Sequence, residues 1–280
     1  MLWFKNKTGF LRMPELPEVE TIRRALAEYC LNETLETVSV KTPALIKNAS
    51  VDRFSNEFHH KQLVEIERRA KFLIFNFENR YMVCHLGMSG IFLKDASQSR
   101  FPQHIHLIWE FKSGKRLYYQ DVRKFGKFWL YDTQPDFTNL GVEPFSEHFT
   151  FERLKALIQH KKTGIKLFLM DQSNIAGIGN IYASEILFRA GISPLKKCSD
   201  LSDREIRSLY SAIQEILQSA IKNFGTTYSA YRTVSGENGQ NQNFLKVYQK
   251  AGLPCHQCAT PIEKIILGNR STFYCPRCQK

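Results

Sequence analysis

The 280-residue chain carries 39 Lys and Arg against 27 Asp and Glu, a formal net charge of +12 and a pI near 9.4. That length excludes a peptide-like fragment and suffices for two domains with a small appended module, while the positive charge suits a polyanionic partner held through its phosphates. No apolar run is long enough to span a bilayer and residues 1–12 lack the apolar segment of a secretory signal, so a soluble, cytoplasmic protein with no membrane partner is expected.

In chain order, the first informative stretch is Met13-Pro14-Glu15-Leu16-Pro17-Glu18-Val19-Glu20. If the chain begins after Met13, Pro14 presents a secondary amine that can attack an electrophilic carbon and form an iminium, and Glu15 can shuttle protons beside it. An α-amino group titrates near about 8 against roughly 10.4 for lysine, so more of it is neutral at pH 7. The plainer reading is that Pro14 and Pro17 start a helix. Residues 1–12 are read as an extension absent from the mature chain, the product of a misplaced start; if retained, they make the Pro14 nitrogen an amide without nucleophilicity.

Val19, Ile22, Leu26 and Tyr29 recur at helical spacing, which predicts an amphipathic helix near residues 17–30. From Leu63 to about Asp132 the segments 72–77, 81–84, 104–109, 116–119 and 127–131 read as short strands rich in β-branched and aromatic residues. Turn signals between them predict an antiparallel sandwich or barrel. Three connections in this region carry groups suited to a nucleic acid. Lys71, in Arg68-Arg69-Ala70-Lys71, and His85, in His85-Leu86-Gly87-Met88-Ser89-Gly90, can contact phosphates, or serve as a surface cation and a hydrogen-bonded core histidine. Met88 has the character of a wedge between bases or of a core residue. In Asp121-Val122-Arg123-Lys124-Phe125-Gly126, Arg123 can pair with an orphaned base while Phe125 stacks in the gap, or the segment is a turn with a packed ring.

Residues 133–150, with Pro135, Gly141 and Pro144, read as an interdomain linker. Helical patterns follow at 151–160, 166–170, 180–190 and 203–223. Gly177 and Gly179 precede the third, with Asn180 as expected N-cap; this is either a ready phosphate site built from backbone N–H groups or a plain interhelical turn.

The C-terminal cysteines form a pattern. Cys255 and Cys258 are separated by 16 residues from Cys275 and Cys278, the spacing of a four-thiolate tetrahedral zinc site. Four thiolates leave no open position, so such a zinc is structural. A pair of disulfides is the alternative, and His256 could replace a ligand. Residues 262–274 read as a hairpin turning at Gly268-Asn269, with Arg270 at its tip placed to grip a phosphate bidentately. Cys30, Cys84 and Cys198 read as small buried hydrophobes.

The ordered set of Pro14 through Glu20, Arg69-Ala70-Lys71, His85 through Met88, Asp121 through Gly126, Gly177 through Glu185 and the four-cysteine ribbon resembles the formamidopyrimidine-DNA glycosylases. The resemblance runs over residues 13–280. It implies an α+β fold: an antiparallel β-sandwich domain with flanking helices at 13–132, a linker at 133–150, a helix-two-turn-helix domain at 151–250 and a zinc ribbon at 251–280, together clasping bent duplex DNA. It further implies a monomeric, nucleoid-associated bacterial enzyme that excises oxidised purines such as 8-oxoguanine and formamidopyrimidines, then cuts at the abasic site by β,δ-elimination.

Residue by residue, the resemblance makes Pro14 the Schiff-base nucleophile at the sugar C1′ and Glu15 its proton donor and acceptor. Lys71 and Arg270 become proton donors or phosphate contacts in the β- and δ-elimination steps. His85, Asn180 and Tyr248 grip phosphates, Lys166 lies near the lesion or is a solvated or phosphate-binding lysine, and Met88, Arg123 and Phe125 fill the void, with Arg123 facing the opposite base. Loop 225–242 covers the flipped base, and Cys255, Cys258, Cys275 and Cys278 hold one structural zinc. An endonuclease VIII-like glycosylase for oxidised pyrimidines shares the scaffold and the proline, but Leu16 through Glu20 and the Met88, Arg123, Phe125 set favour the purine enzyme. If residues 1–13 are retained, a non-catalytic damage-binding protein is the alternative.

Overall fold

The structure, a computed structural model, describes residues 13–227, 232 and 234–280; the 1–12 extension and part of the 225–242 loop lie outside these. Pro17 sits in the first turn of α1 (Leu16–Cys30), and Glu15 caps it by donating its own N–H to the Glu18 carboxylate at 2.9 Å. Leu16, Val19, Ile22, Leu26 and Cys30 form the buried face. α1 packs on the sandwich and on the last long helix, so it lies between the two halves of the molecule.

The N-terminal half contains β1 (Leu35–Val40), α2 (Val51–Asn56), β2 (Leu63–Arg69), β3 (Phe72–Phe77), β4 (Arg80–His85), β5 (Gly90–Leu93), β6 (Ile105–Phe111), β7 (Arg116–Asp121) and β8 (Lys127–Tyr131). They form two antiparallel four-stranded sheets, ordered β1-β6-β7-β5 and β2-β3-β4-β8. The sheets meet through aromatic side chains: the Phe75 ring lies 4.9 Å from Trp109 and 6.0 Å from Phe92, and Tyr119 stands edge-on to Phe128 at 4.8 Å. Such pairs add to the area they bury, which is why runs rich in Phe, Tyr and Trp make a sandwich core. The expected strands are all present. β1, β2, β5 and the short α2 were not among them, and β1 escapes because a bulge between Leu35 and Thr37 breaks the two-residue alternation.

The C-terminal half contains α3 (Phe151–Ile158), α4 (Ile165–Met170), α5 (Asn180–Ala190), α6 (Asp203–Lys222), β9 (Glu263–Leu267) and β10 (Arg270–Tyr274). A Ser202–Glu205 capping box starts α6, and Gly191 ends α5 in the left-handed region at φ +72°. The β9–β10 hairpin turns at Gly268 and Asn269, and Ile262, Phe273 and Cys275 join the core formed by the helices. The ribbon is thus continuous with the helical core. No helix among the described residues is long and apolar enough to cross a membrane.

The 133–150 segment is tied to both halves. The Glu143 carboxylate accepts Arg68 Nη1 at 2.9 Å, Arg69 Nη1 at 3.1 Å and the Ala70 N–H, while Gly141 N–H donates to Gln172 O at 2.7 Å. The expected linker is therefore a strap. It fixes the β2–β3 turn that carries Lys71.

Candidate active site

Glu15 crosses between the halves to the amino-terminal end of α5. Its Oε2 accepts the Gly179 N–H at 2.7 Å and the Tyr182 N–H at 3.3 Å, and its Oε1 accepts the Ile181 N–H at 2.8 Å. Leu16 N–H adds a bond to Gly177 O at 3.0 Å. The anion site expected for a phosphate is thus filled by the protein's own carboxylate, and Gly179 rather than Asn180 is the N-cap. Two glycines permit this. Gly177 sits at φ +95°, and a Cβ on Gly179 would lie 2.5 Å from Glu15 Cδ. Burial raises the Glu15 pKa, opposed by the Lys71 charge and then by the three amides. Pro14, one residue away, is buried at the same place.

Glu18 lies next to this carboxylate and was assigned no role in the sequence reading. Its Oε1 accepts Tyr182 OH at 2.5 Å and the Thr226 N–H at 2.7 Å. Burial, then the Glu15 charge, pushes its pKa from 4.5 up to about 7. Because the folded value exceeds the unfolded one, its stabilising contribution is complete below pH 4.5 and is lost as the pH rises through about 7. Glu18→Gln is expected to flatten the fall in urea midpoint over that window. Parallel wild-type and variant profiles would show that Glu18 does not titrate there.

Cations from both halves converge on Glu15. Lys71 Nζ donates to Ile178 O at 3.1 Å. Burial lowers its pKa, Glu15 and Glu18 raise it, and Arg270 lowers it again, so these four charges feel one another. Arg270 is exposed at the first position of β10. His85 is half-buried; its Nδ1 accepts the Gly87 N–H at 3.2 Å, which places the ring proton on Nε2. Burial, then Lys71 and Lys127, hold its pKa down at about 4, so at neutral pH it is an uncharged donor.

Lys166 departs from expectation. It is fully buried, with Nζ donating to Asn180 Oδ1 at 2.7 Å and Thr272 Oγ1 at 2.6 Å. Burial and Arg270 lower its pKa to about 7 against the opposing pull of Glu15. It therefore holds α5 to β10 from beneath and presents no surface to a lesion. Asn180 Nδ2 donates to Ser271 O at 2.9 Å and to Tyr248 OH at 3.3 Å, and Tyr248 packs edge-on against Phe273 at 5.1 Å. Glu185, also overlooked, accepts the N–H groups of Lys246, Val247 and Tyr248 at 2.8, 3.0 and 2.8 Å, which fixes Tyr248. An acidic residue within the apolar run of α5 was the available signal.

On the β4–β5 and β7–β8 connections of the sandwich Met88, Arg123 and Phe125 come together. The Arg123 guanidinium lies 4.4 Å over the exposed Phe125 ring, and its Nη1 reaches Met88 Sδ at 3.5 Å. Of the 225–242 loop, Thr226, Thr227, Gly239, Asn241 and Gln242 bond to one another, while Val234 is buried in the sandwich core and Gln98 Nε2 donates to Ser235 O at 2.9 Å. The loop therefore bridges from the helical half to the sandwich. Its residues 228–231 and 233 lie outside those described.

The four ribbon sulfurs all lie within 4.8 Å of one another, with Cys255–Cys278 at 3.9 Å and Cys258–Cys275 at 3.4 Å. Sulfurs at the corners of a tetrahedron with metal bonds of about 2.3 Å stand about 3.8 Å apart, so the donor set fits zinc; a disulfide would need about 2.05 Å. His256 is not in the cluster.

Three family models match the chain: the formamidopyrimidine-DNA glycosylase N-terminal domain at residues 13–128, its H2TH domain at 140–231, and the zinc finger found in FPG and IleRS at 252–280. The formamidopyrimidine-DNA glycosylase of Pelotomaculum thermopropionicum is 40% identical over 274 residues, 96% of this chain and 99% of its own. Among solved structures, Lactococcus lactis Fpg with DNA containing an abasic site superposes with a TM-score of 0.88 at 34% identity, over 95% of this chain and 99% of that one. A variant of the same protein with DNA containing Fapy-dG gives 0.86 at 35% identity, over 95% and 100%.

Proposed function

The chain belongs to the formamidopyrimidine-DNA glycosylases, base-excision enzymes that join glycosylase to AP-lyase activity, and from that premise we propose that Pro14, Glu15 and Lys71 are its reacting centre. Its partner is double-stranded DNA containing oxidised bases or abasic sites, and its cofactor is one structural zinc ion on the ribbon. The observation that carries the residue assignment is the Glu15 carboxylate, seated on three α5 amides and raised in pKa beside Lys71.

With its amine free, Pro14 attacks C1′ of the damaged nucleotide, the bond to the base breaks, and the base departs with a proton. Opening of the sugar puts a proton on O4′, for which Glu15 is the donor, and leaves an iminium between Pro14 and C1′. The iminium acidifies the C2′ hydrogens. Loss of one breaks the C3′–O bond, and continued elimination releases the 5′ phosphate. Lys71, His85 and Arg270 hold phosphates around the sugar, while Met88, Arg123 and Phe125 occupy the vacated stack. Asn180 completes the phosphate grip, positioned by Lys166, while Tyr248, expected to share it, is buried at 2% exposure and supports Asn180 from behind, held there by Glu185. On this reading the enzyme acts in the cytoplasm on the nucleoid, where a DNA substrate lies.

The form beginning at Pro14 should excise 8-oxoguanine opposite cytosine faster than thymine glycol in duplexes of the same sequence. The reverse order would assign the site to oxidised pyrimidines. Because β10 supplies acceptors to both Asn180 and Lys166, Cys258→Ser should open the ribbon and weaken binding to abasic-analogue DNA by about tenfold or more. Unchanged affinity in fluorescence anisotropy would remove the ribbon from the DNA grip.

A further inference from the structure

We propose that Asp121 is a positioning residue that holds the Met88 and the Arg123–Phe125 loops together as one preassembled wedge, and so controls base extrusion rather than the chemistry at Pro14. The inference rests on the reading of those three side chains as the void-filling set. Met88 lies on the β4–β5 connection, and Arg123 and Phe125 lie on the β7–β8 connection. Two loops can act as a single wedge only if something fixes one against the other.

Asp121 is fully buried at the point where they meet. A buried carboxylate is costly unless it is paired or hydrogen-bonded, and this one is bonded on both oxygens. Its Oδ1 accepts Ser89 Oγ, the residue after Met88, and the Arg123 N–H at 3.2 Å. Its Oδ2 accepts the Gly126 N–H, directly after Phe125, at 2.7 Å and Tyr119 OH at 3.5 Å. Ser89 Oγ in turn accepts the Arg123 N–H at 3.1 Å. One side chain thus links the Arg123 backbone to the neighbours of Met88 and Phe125.

Close backbone approach leaves room for this arrangement and little else. A Cβ on Gly87 would lie 2.5 Å from the Phe125 carbonyl carbon, and one on Gly126 would lie 1.7 Å from Tyr119 Oη. The Asp121 backbone is itself held. His106 Nε2 donates to Asp121 O at 2.9 Å, and His106 Nδ1 bonds Thr42 Oγ1 at 2.8 Å. With the loops locked, the Arg123 guanidinium rests on the Phe125 ring and reaches Met88 sulfur. Insertion of a wedge must meet the cost of unstacking, and one already ordered loses less freedom on entering the duplex.

Asp121→Asn keeps the shape but turns an amide N–H₂ toward donors, so at least one loop tie is lost. Ser89→Ala is a second variant that removes the two bonds of the Ser89 hydroxyl, to Asp121 and from the Arg123 N–H, and leaves the Asp121 bonds to Arg123 and Gly126 in place. Single-turnover excision of 8-oxoguanine from duplex DNA should slow about tenfold or more in Asp121→Asn and less in Ser89→Ala. Borohydride trapping on a single-stranded abasic oligonucleotide, which has no stack to fill, should stay within about threefold of wild type. The fluorescence change of 2-aminopurine placed opposite the lesion should shrink in the same order, and adding Met88→Ala to Asp121→Asn should cost less than the two separate losses combined. Equal losses on both substrates, or full additivity with Met88→Ala, would overturn the proposal. Absence of trapping by the wild-type form beginning at Pro14 would instead overturn the enzyme reading on which it rests.

Discussion

A chain that begins at Pro14 will be trapped by borohydride on abasic-site DNA, and the 280-residue chain will not. With Met13 attached, the Pro14 nitrogen belongs to a peptide bond, where resonance delocalises its lone pair and removes its nucleophilicity. Released, it is a secondary amine with a reference pKa of about 8, so more of it is neutral at pH 7 than of a lysine, and it is adjacent to a carboxylate that bridges the two halves of the site. The expected contrast is complete, from efficient trapping to background. Equal trapping by both forms would move the nucleophile elsewhere. Lys71, whose pKa is lowered by burial and whose charge couples to Glu15, would be the candidate. Trapping of a Lys71→Ala variant of the shorter form separates these cases, since only a Pro14 nucleophile survives that change.

Glu15→Gln in the form beginning at Pro14 should slow base excision by about 10²–10⁴-fold, the usual worth of a positioned proton donor. Two effects combine in this residue. The carboxylate accepts three N–H groups at the start of α5, and glutamine offers one acceptor oxygen with an amide that must face a donor. That substitution should also cost roughly 1–2 kcal/mol of stability, the value of a lost helix cap. Thermal unfolding and single-turnover rates measured on the same variant divide the two contributions. A fall in melting temperature with excision within tenfold of wild type would reduce Glu15 to a helix cap. The raised pKa carries its own signature: wild-type excision should fall as the pH rises through the folded value of the carboxyl, and that limb should vanish in Glu15→Gln.

The features legible in the chain are those whose cause is local. β3 and β8 announce themselves through consecutive aromatic and β-branched residues, and α5 and α6 through apolar spacing. The thiolate pairs mark a metal site because two residues of spacing bring sulfurs to one face of an ion. Where an irregularity intervenes the local signal fails. The bulge in β1 interrupts its alternation, and the four residues of β5 are too few to show a period beside the Gly87–Gly90 loop.

Charged and polar residues were harder to place, because their environment comes from distant parts of the chain. Lys166 read as a DNA-facing cation and is instead enclosed by Asn180, Ser271 and Thr272. Asn180 read as a cap for α5, yet the capping anion arrives from Glu15, 164 residues before Gly179. Residues 133–150 read as a connector and carry Glu143, which ties down the turn bearing Lys71.

Apolar periodicity thus predicted a β region followed by a helical one, cysteine spacing pointed to a zinc ribbon and net charge to a polyanionic partner, since each depends on neighbours along the chain or on bulk charge. Only the folded molecule decided which acids are buried, that Glu15 rather than a phosphate occupies the α5 amides, and that Asp121 joins two loops. Burial and pairing between the two halves set the energy of a charge, and neither is written in the residues beside it.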